Sequence, residues 1–229
     1  MLRRFRDEQG LDDTEKLTYA GRLDPMAEGV VPILVGEARF QKDRFLKKSK
    51  TYEVEILLGL GTDTGDMLGF PTGNPTLNEV KSRADIDTAL KTLSQTVSLP
   101  YPNYSSVPVD GKPLFVHARA GNKVTVPIKK VTIYSLELLE VKEVLAKKLI
   151  DQAIEVIEKV QGDFRQNEII EQWASLARSD LANESVQIVK IRTTVSSGTY
   201  MRAIAEKLGL LLKIPALAYS IKRTAIEGI

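Results

Sequence analysis

Residues 19–38 read YAGRLDPMAEGVVPILVGEA, with a charged pair, Arg22 and Asp24, two positions apart and directly ahead of a proline and a nearly unbroken apolar run. In an extended segment alternate side chains share a face, so Arg22 and Asp24 point one way and Leu23 the other, where it can anchor. Pro25 disfavours the helical region for Asp24 and keeps its backbone extended, which fixes the direction in which the carboxylate is presented. Val30 to Val35 then reads as a buried strand, and Pro32 within it marks an edge or a bulge.

Downstream, TYEVEILLGLG at 51–61 is β-rich and runs into TDTGDMLGFPTGNP, whose glycines, aspartates and prolines predict a polar hairpin connection. Residues 85–95 predict a short helix. LPYPNYSSVPVDGKPLF carries four prolines, and the apolar alternation through VTVPIKKVTIYSLELLEV predicts several short strands. From Glu143 the period changes. Leu145, Leu149, Ile150, Ala153, Ile154, Ile157 and Val160 form one stripe, so 143–160 is an amphipathic helix, with Gly162 as its stop. Ile169, Ile170, Trp173 and Leu176 share the face of a second helix, and the two make a packed hairpin. VQIVKIRTTV restores strand character. SSGTYMRAIAEKLG is a strand-to-helix junction, capped by Thr199 and closed by Gly209.

The 229 residues, 43% of them hydrophobic, can bury a core as one domain over 1–229. The absence of cysteine excludes a thiolate nucleophile, a disulfide scaffold and a thiolate zinc site, and is compatible with a reduced, cytoplasmic setting. No apolar run approaches the roughly 20 residues of a membrane span, and MLRRFRDEQGLDD lacks the apolar core of a signal peptide, so a soluble protein is expected. The net charge of +2 does not announce nucleic acid, but residues 42–50, KDRFLKKSK, carry five cations and one aspartate. Smaller groups stand at Arg3, Arg4 and Arg6, at Lys129 and Lys130, and at Lys222 and Arg223. Where such groups converge they neutralise phosphates; apart, they are a solvated surface.

Arg202 falls in the first turn of its helix, where the macrodipole disfavours a cation by roughly 0.3–1 kcal/mol. A nearby carboxylate reverses that penalty, and Asp24 is the natural candidate; the alternative is a side chain that reaches solvent along its aliphatic stem. GLGTDTGDMLG lacks the helix and lysine of a phosphate loop and the ligand spacing of a calcium loop. The single histidine, His117, has no cysteine or second histidine with which to bind metal, and reads as a surface or phosphate-facing group. Tyr52, after the lysine-rich run, is an ordinary strand aromatic or a platform for a stacked nucleobase.

Five stretches together carry a family resemblance: AGRLDPMAEGVVPILVGEA, KTYEVEILLGLGTDTGDMLG, PNYSSVPVDGKPLFVHARAGNKV, SSGTYMRAIAEKLG and the closing YSIKRTAIEGI. Their content and order resemble the pseudouridine synthases, in particular the TruB family of tRNA pseudouridine-55 synthases, over most of residues 16–139 and 186–229. The resemblance implies an α+β pseudouridine synthase fold: a mixed, mostly antiparallel sheet with flanking helices and, over 141–183, an inserted helical hairpin. It implies isomerisation of uridine in the T-loop of tRNA by a cytoplasmic monomer, with no cofactor, metal or membrane.

Asp24 would be the catalytic aspartate, Tyr52 the aromatic stacked on the target uracil and Arg202 the partner of Asp24. Tyr19, Arg22, Leu23, Lys50, Lys112, His117 and Arg119 would bind substrate. Asp24 would either attack or deprotonate the nucleoside, after the base has left its stack at a cost of a few kcal/mol. A tRNA-binding or tRNA-folding factor without catalysis is the alternative reading, and a glycosidic hydrolase would need Glu28 as a second acid.

The sequence departs from the family pattern in four places. It starts after the family's first strand and its lysine-proline-glycine-threonine-serine segment, which would leave a sheet edge exposed. Tyr19 stands for a histidine, and Arg22 stands for a small residue, giving the GRLD of other pseudouridine synthases. The last block, YSIKRTAIEGI, is not followed here by the RNA-binding PUA domain that many relatives carry, so reduced contact with the tRNA acceptor region is expected. The helical insertion is expected to pack beside the sheet and either broaden the RNA surface or cover an edge.

Overall fold

The structure is a computed structural model that describes residues 1–73, 75–77 and 79–229. In chain order its elements are α1 (Leu2–Gln9), β1 (Leu17–Tyr19), β2 (Glu28–Gly29), β3 (Ile33–Val35), α2 (Lys42–Lys47), β4 (Lys50–Leu58), β5 (Gly61–Thr62), β6 (Pro71–Thr72), α3 (Arg83–Leu93), β7 (Gln95–Pro100), β8 (Pro108–Val109) and β9 (Lys112–Pro113). There follow α4 (Leu114–Arg119), β10 (Ile128–Leu145), α5 (Ala146–Lys159), α6 (Gln166–Ala177), β11 (Ser185–Val195), α7 (Met201–Leu212) and β12 (Ala216–Ile226).

Six strands form one sheet in the order β2-β12-β4-β11-β10-β7. Neighbours are antiparallel except for β2, which runs parallel to β12. Alternation in β4 puts Tyr52, Val54, Ile56 and Leu58 on one face, where they meet Ile86, Leu90 and Leu93 of α3 and Ile204 and Leu208 of α7. The other face is divided. At one end Leu57, Ile188 and Leu217 pack under Ile150, Ile157, Ile169 and Trp173 of α5 and α6. Further along the same face, Glu53 meets Lys190 and Arg192, and Glu55 meets Lys142. The architecture is the α+β arrangement that the sequence implies. No helix among the described residues is long and apolar enough to cross a membrane.

Several boundaries differ from the sequence expectation. Residues 128–145 form a single strand instead of several short ones. Register shifts between Ile133 and Ser135 and between Leu138 and Glu140 bend β10 while it passes from β7 to β11. Because β10 pairs with β11 as far as Leu145, α5 begins only at Ala146, and Leu145 is exposed instead of joining the apolar stripe. The helical hairpin therefore starts later than residue 141, and it covers a face of the sheet, not an edge. Of Val30–Val35 only Ile33–Val35 is strand, paired with β1.

The junction before α7 is not capped by Thr199, whose hydroxyl donates back to the Ser196 carbonyl at 2.8 Å. Nor does Gly209 end α7. A Cβ there would lie 2.7 Å from both the Ala216 Cβ and the Ile214 carbonyl oxygen, so glycine permits close packing of helix on chain. The helix stops at Lys213, whose φ is 59°. The 61–74 loop is not a solvated connection: Thr62, Thr64, Asp66, Met67 and Leu68 are buried, and Asn74 lies outside the described residues.

Candidate active site

A cavity of about 770 Å³ opens where the Asp24 loop, the 64–68 segment, Tyr104, the α5–α6 connection and the start of α7 converge. Arg202 organises it. Its Nε donates to Asp24 Oδ2 at 2.9 Å and its Nη2 to Asp24 Oδ1 at 3.0 Å, a bidentate pair. Nη1 donates to the Thr64 carbonyl at 2.9 Å, and both Nη atoms approach the Tyr104 carbonyl at 3.3–3.4 Å. Asp66 Oδ2 lies 3.4 Å from Nε. Arg202 is only 3% exposed, so it does not reach solvent; two carboxylates and two carbonyls compensate its burial and its unfavourable helix position.

The Asp24 loop is held from β12. Ala27 N–H donates to the Asp24 carbonyl, which turns the chain after Pro25. Arg223, 1% exposed, donates from Nε to the Val30 carbonyl at 2.7 Å and from Nη2 to the Gly21 carbonyl at 2.8 Å, bracketing the loop at both ends. Gly29, with φ 117°, runs so close to the Arg223 backbone that no Cβ fits between them.

Asp66 is the second acid. Its Oδ1 accepts from Thr64 Oγ1 at 2.7 Å and from the Leu68 N–H at 2.9 Å. Burial pushes its carboxyl up to about 6; Arg202 pulls against this, and Asp24 adds to it. Tyr52 lines the cavity from β4, and burial raises its hydroxyl pKa while Arg223 opposes the rise. Tyr200 stands edge-on to Tyr101, with centroids 5.9 Å apart, and its hydroxyl is also raised by burial, with Asp24 acting in the same direction.

Cations outnumber anions around the cavity. Arg22, Lys47, Lys50, Arg119, Lys129, Arg165, Arg202 and Arg223 line it against Asp24, Asp66 and Asp163. A nearly neutral chain thus concentrates positive charge at one opening.

The residues singled out from sequence divide into two groups. Asp24, Arg202, Tyr52, Arg22, Leu23, Lys50 and Arg119 come together at the cavity. Arg22 is exposed, and Leu23 packs partly on the core, as an anchor would, while also lining the cavity. Lys50 is committed to the protein: its Nζ donates to the carbonyls of Phe45, Leu46 and Lys48, using the three protons of an ammonium. Burial pushes it down to about 8, helped by Arg223 and opposed by Glu227.

Tyr19, Lys112 and His117 do not line the cavity. Tyr19 sits in β1 with the Lys42 ammonium 5.8 Å from its ring centroid, and Lys112 is exposed on β9. His117 is buried, not surface-facing, with Nε2 2.9 Å from the Val109 carbonyl. Glu28 is exposed on β2, where it pairs with Lys222 at 3.1 Å, and therefore supplies no acid opposite Asp24.

Sequence reasoning missed Asp66, Tyr200 and Arg223 as site residues. Arg223 had a signal in the alternation of β12, where it shares the core-facing parity of Ile221 while Lys222 faces out. Asp66 had a weaker one, an aspartate directly followed by Met67 and Leu68.

The family model for TruB family pseudouridylate synthase (N terminal domain) matches residues 9–157. The tRNA pseudouridine synthase B of Geobacillus thermodenitrificans (strain NG80-2) is 31% identical over 211 residues, 92% of this chain and 58% of that protein. The protein of the same name from Bacillus anthracis is also 31% identical, over 92% of this chain and 57% of its own. The chain thus spans less than three fifths of the length of these relatives.

Among solved structures, a Cbf5-Nop10-Gar1 complex aligns with a TM-score of 0.55 at 16% identity, covering 98% of this chain and 44% of that one. An H/ACA RNP bound to a substrate RNA containing 2'-deoxyuridine aligns at 0.54 and 15%, covering 98% and 42%. At such identity these two speak for the fold alone. With the family model matched over well more than half of its residues, and the Asp24 and Tyr52 segments inside that match, the chain belongs to the TruB family of pseudouridylate synthases.

Proposed function

We propose that the protein converts uridine to pseudouridine in tRNA, at position 55 of the T-loop, as a cytoplasmic monomer with Asp24 as the reacting acid. The observation that carries this reading is the bidentate Arg202–Asp24 pair, set in a cavity with Tyr52 and an excess of cations. Isomerisation breaks the bond from N1 to the ribose C1′, turns the uracil and joins C5 to the same carbon, with the C5 proton released and N1 taking up a proton. The atoms balance without an oxidant or reductant. An oriented carboxylate can act on the nucleoside as nucleophile or as base, and Arg202 holds it in one rotamer.

The target base has to leave the RNA stack, which costs a few kcal/mol. Stacking on Tyr52, worth about 1–3 kcal/mol, and phosphate contacts at the cationic rim offset that cost. The cavity volume falls in the roughly 300–1,000 Å³ range of small-molecule clefts, room for one extruded nucleotide.

tRNA carrying tritium at C5 of uridine 55 alone tests the reading. The wild type is expected to release label, and Asp24→Asn to release none while its tRNA affinity stays close to wild type. Binding without release by the wild type would instead favour a non-catalytic tRNA-folding factor.

A further inference from the structure

The α5–α6 connection reaches from the far face of the sheet into the cavity, where Asp163, Phe164 and Arg165 line the wall. The connection is built, not slack: the Gln166 side chain donates to the carbonyls of Val160 and Gly162 and accepts from the Phe164 N–H. Arg165 has φ 64°, a left-handed backbone rarely adopted by long side chains, and such outliers persist where the surroundings over-determine them. Here the surroundings are specific. Its Nη1 donates to Asp63 Oδ2 at 2.9 Å, and its guanidinium lies 4.5 Å from the Phe70 ring centroid and 4.4 Å from that of Tyr104. Asp63 Oδ1 in turn accepts from the Phe70 N–H.

Arg165 therefore fastens two separate pieces of chain, residues 63–70 and Tyr104. These are the pieces whose Thr64 and Tyr104 carbonyls accept from Arg202. We infer that Arg165 is a positioning residue for the reaction: by fixing both carbonyls it sets the guanidinium of Arg202 on Asp24, so the helical hairpin governs the reacting acid from a distance. The inference rests on the reading of Asp24 given above. A direct role for Arg165 on RNA phosphate is disfavoured because its Nη1 is bonded to Asp63 and its guanidinium lies against two rings, leaving the side chain 20% exposed.

Arg165→Gly tests this, since glycine accepts the positive φ while removing the guanidinium. Arg165→Lys keeps the charge without the planar fork and serves should the glycine variant unfold. Two readouts are needed: kcat and KM for tRNA, and solvent exchange of the Arg202 Nε–H in substrate-free protein labelled with ¹⁵N-arginine.

For Arg165→Gly the expected result is a fall in kcat of about ten- to a hundredfold with KM within about twofold, and faster exchange at Arg202. Arg165→Lys falls between that variant and the wild type. A raised KM with unchanged kcat, and a salt slope of binding reduced by about 1, would mark a phosphate contact and overturn the inference. Unchanged Arg202 exchange would overturn it as well. If the wild type itself makes no pseudouridine, the proposed function fails, and the exchange measurement still decides whether Arg165 positions Arg202.

Discussion

Arg202 carries two carboxylates of unequal character. Asp24 is part-exposed and takes the bidentate pair, whereas Asp66, at the wall of the same cavity, is buried and held by Thr64 and Leu68. The Asp66 carboxyl titrates at about 6 in the folded protein, above its ordinary value of 3.8. Between these pH values the native state binds more protons than the unfolded one, so this group's contribution to stability is full below the lower value and is lost as pH rises through about 6. Asp66→Asn should remove that slope. Urea unfolding at pH 4.5 and at pH 7 should find wild type losing on the order of 2 kcal/mol relative to the variant over that interval. A constant difference between the two proteins would mean that Asp66 ionises like an exposed acid.

The pairing of Arg202 with Asp24 was only half legible: an arginine in the first turn of a helix asks for an anion, but a side chain reaching solvent satisfied the same pattern, and it was the family resemblance that decided for Asp24. Asp66 was not legible. The composition of 61–74 reads as solvated loop, and it is tertiary docking that takes it out of water: the Ala218 N–H donates to the Gly65 carbonyl at 2.9 Å, and Met67 and Leu68 pack under α5 and α6. Lys50 misled in the opposite sense: in a lysine-rich run it reads as a phosphate contact, but its own neighbours' carbonyls capture it.

The helical hairpin is the element that ties packing to the site. Trp173 is fully buried and donates from Nε1 to the Gly69 carbonyl at 3.2 Å, so α6 grips the loop that carries Asp63 and Asp66. Trp173→Ala is expected to cost about 3–5 kcal/mol of stability, from the cavity it leaves and the lost hydrogen bond. Chemical denaturation measures this directly; a loss under about 1 kcal/mol would mean that the hairpin is not integral to the core. The stripes of α5 and α6 were readable because a helix buries one face at a fixed period. The continuity of β10 was not. Two register shifts interrupt its alternation, and only its partners β7 and β11 reveal one strand where the pattern suggests several.

Over the whole molecule the balance of charge is local. A net charge of +2 coexists with a cavity rim rich in arginine and lysine, so tRNA affinity should fall with salt even though the chain is nearly neutral. Arg22 and Lys47 are exposed at that rim. Neutralising either, as Arg22→Ala or Lys47→Ala, should reduce the slope of log K against log salt by about 1 and leave kcat near wild type. Filter binding across a salt series checks it, and an unchanged slope would place the RNA elsewhere. The sequence located the basic groups but not which of them meet: the fold brings Lys129 of β10 and Lys47 of α2 to the cavity, whereas Arg3, Arg4, Arg6, Lys130 and Lys222 do not line it.

Strand β12 bears both acid-carrying loops on one margin. The Gly65 carbonyl takes the Ala218 N–H, while Glu28 and Gly29 run beside Lys222 and Arg223, four to five residues further along. At roughly 3.3 Å per residue that strand acts as a ruler, and the two loops cannot drift apart unless the margin unzips. Asp24 and Asp66 are consequently tied to one rigid strand on either side of Arg202, and under the proposed function the nucleic acid, the more pliable partner, is expected to do the bending.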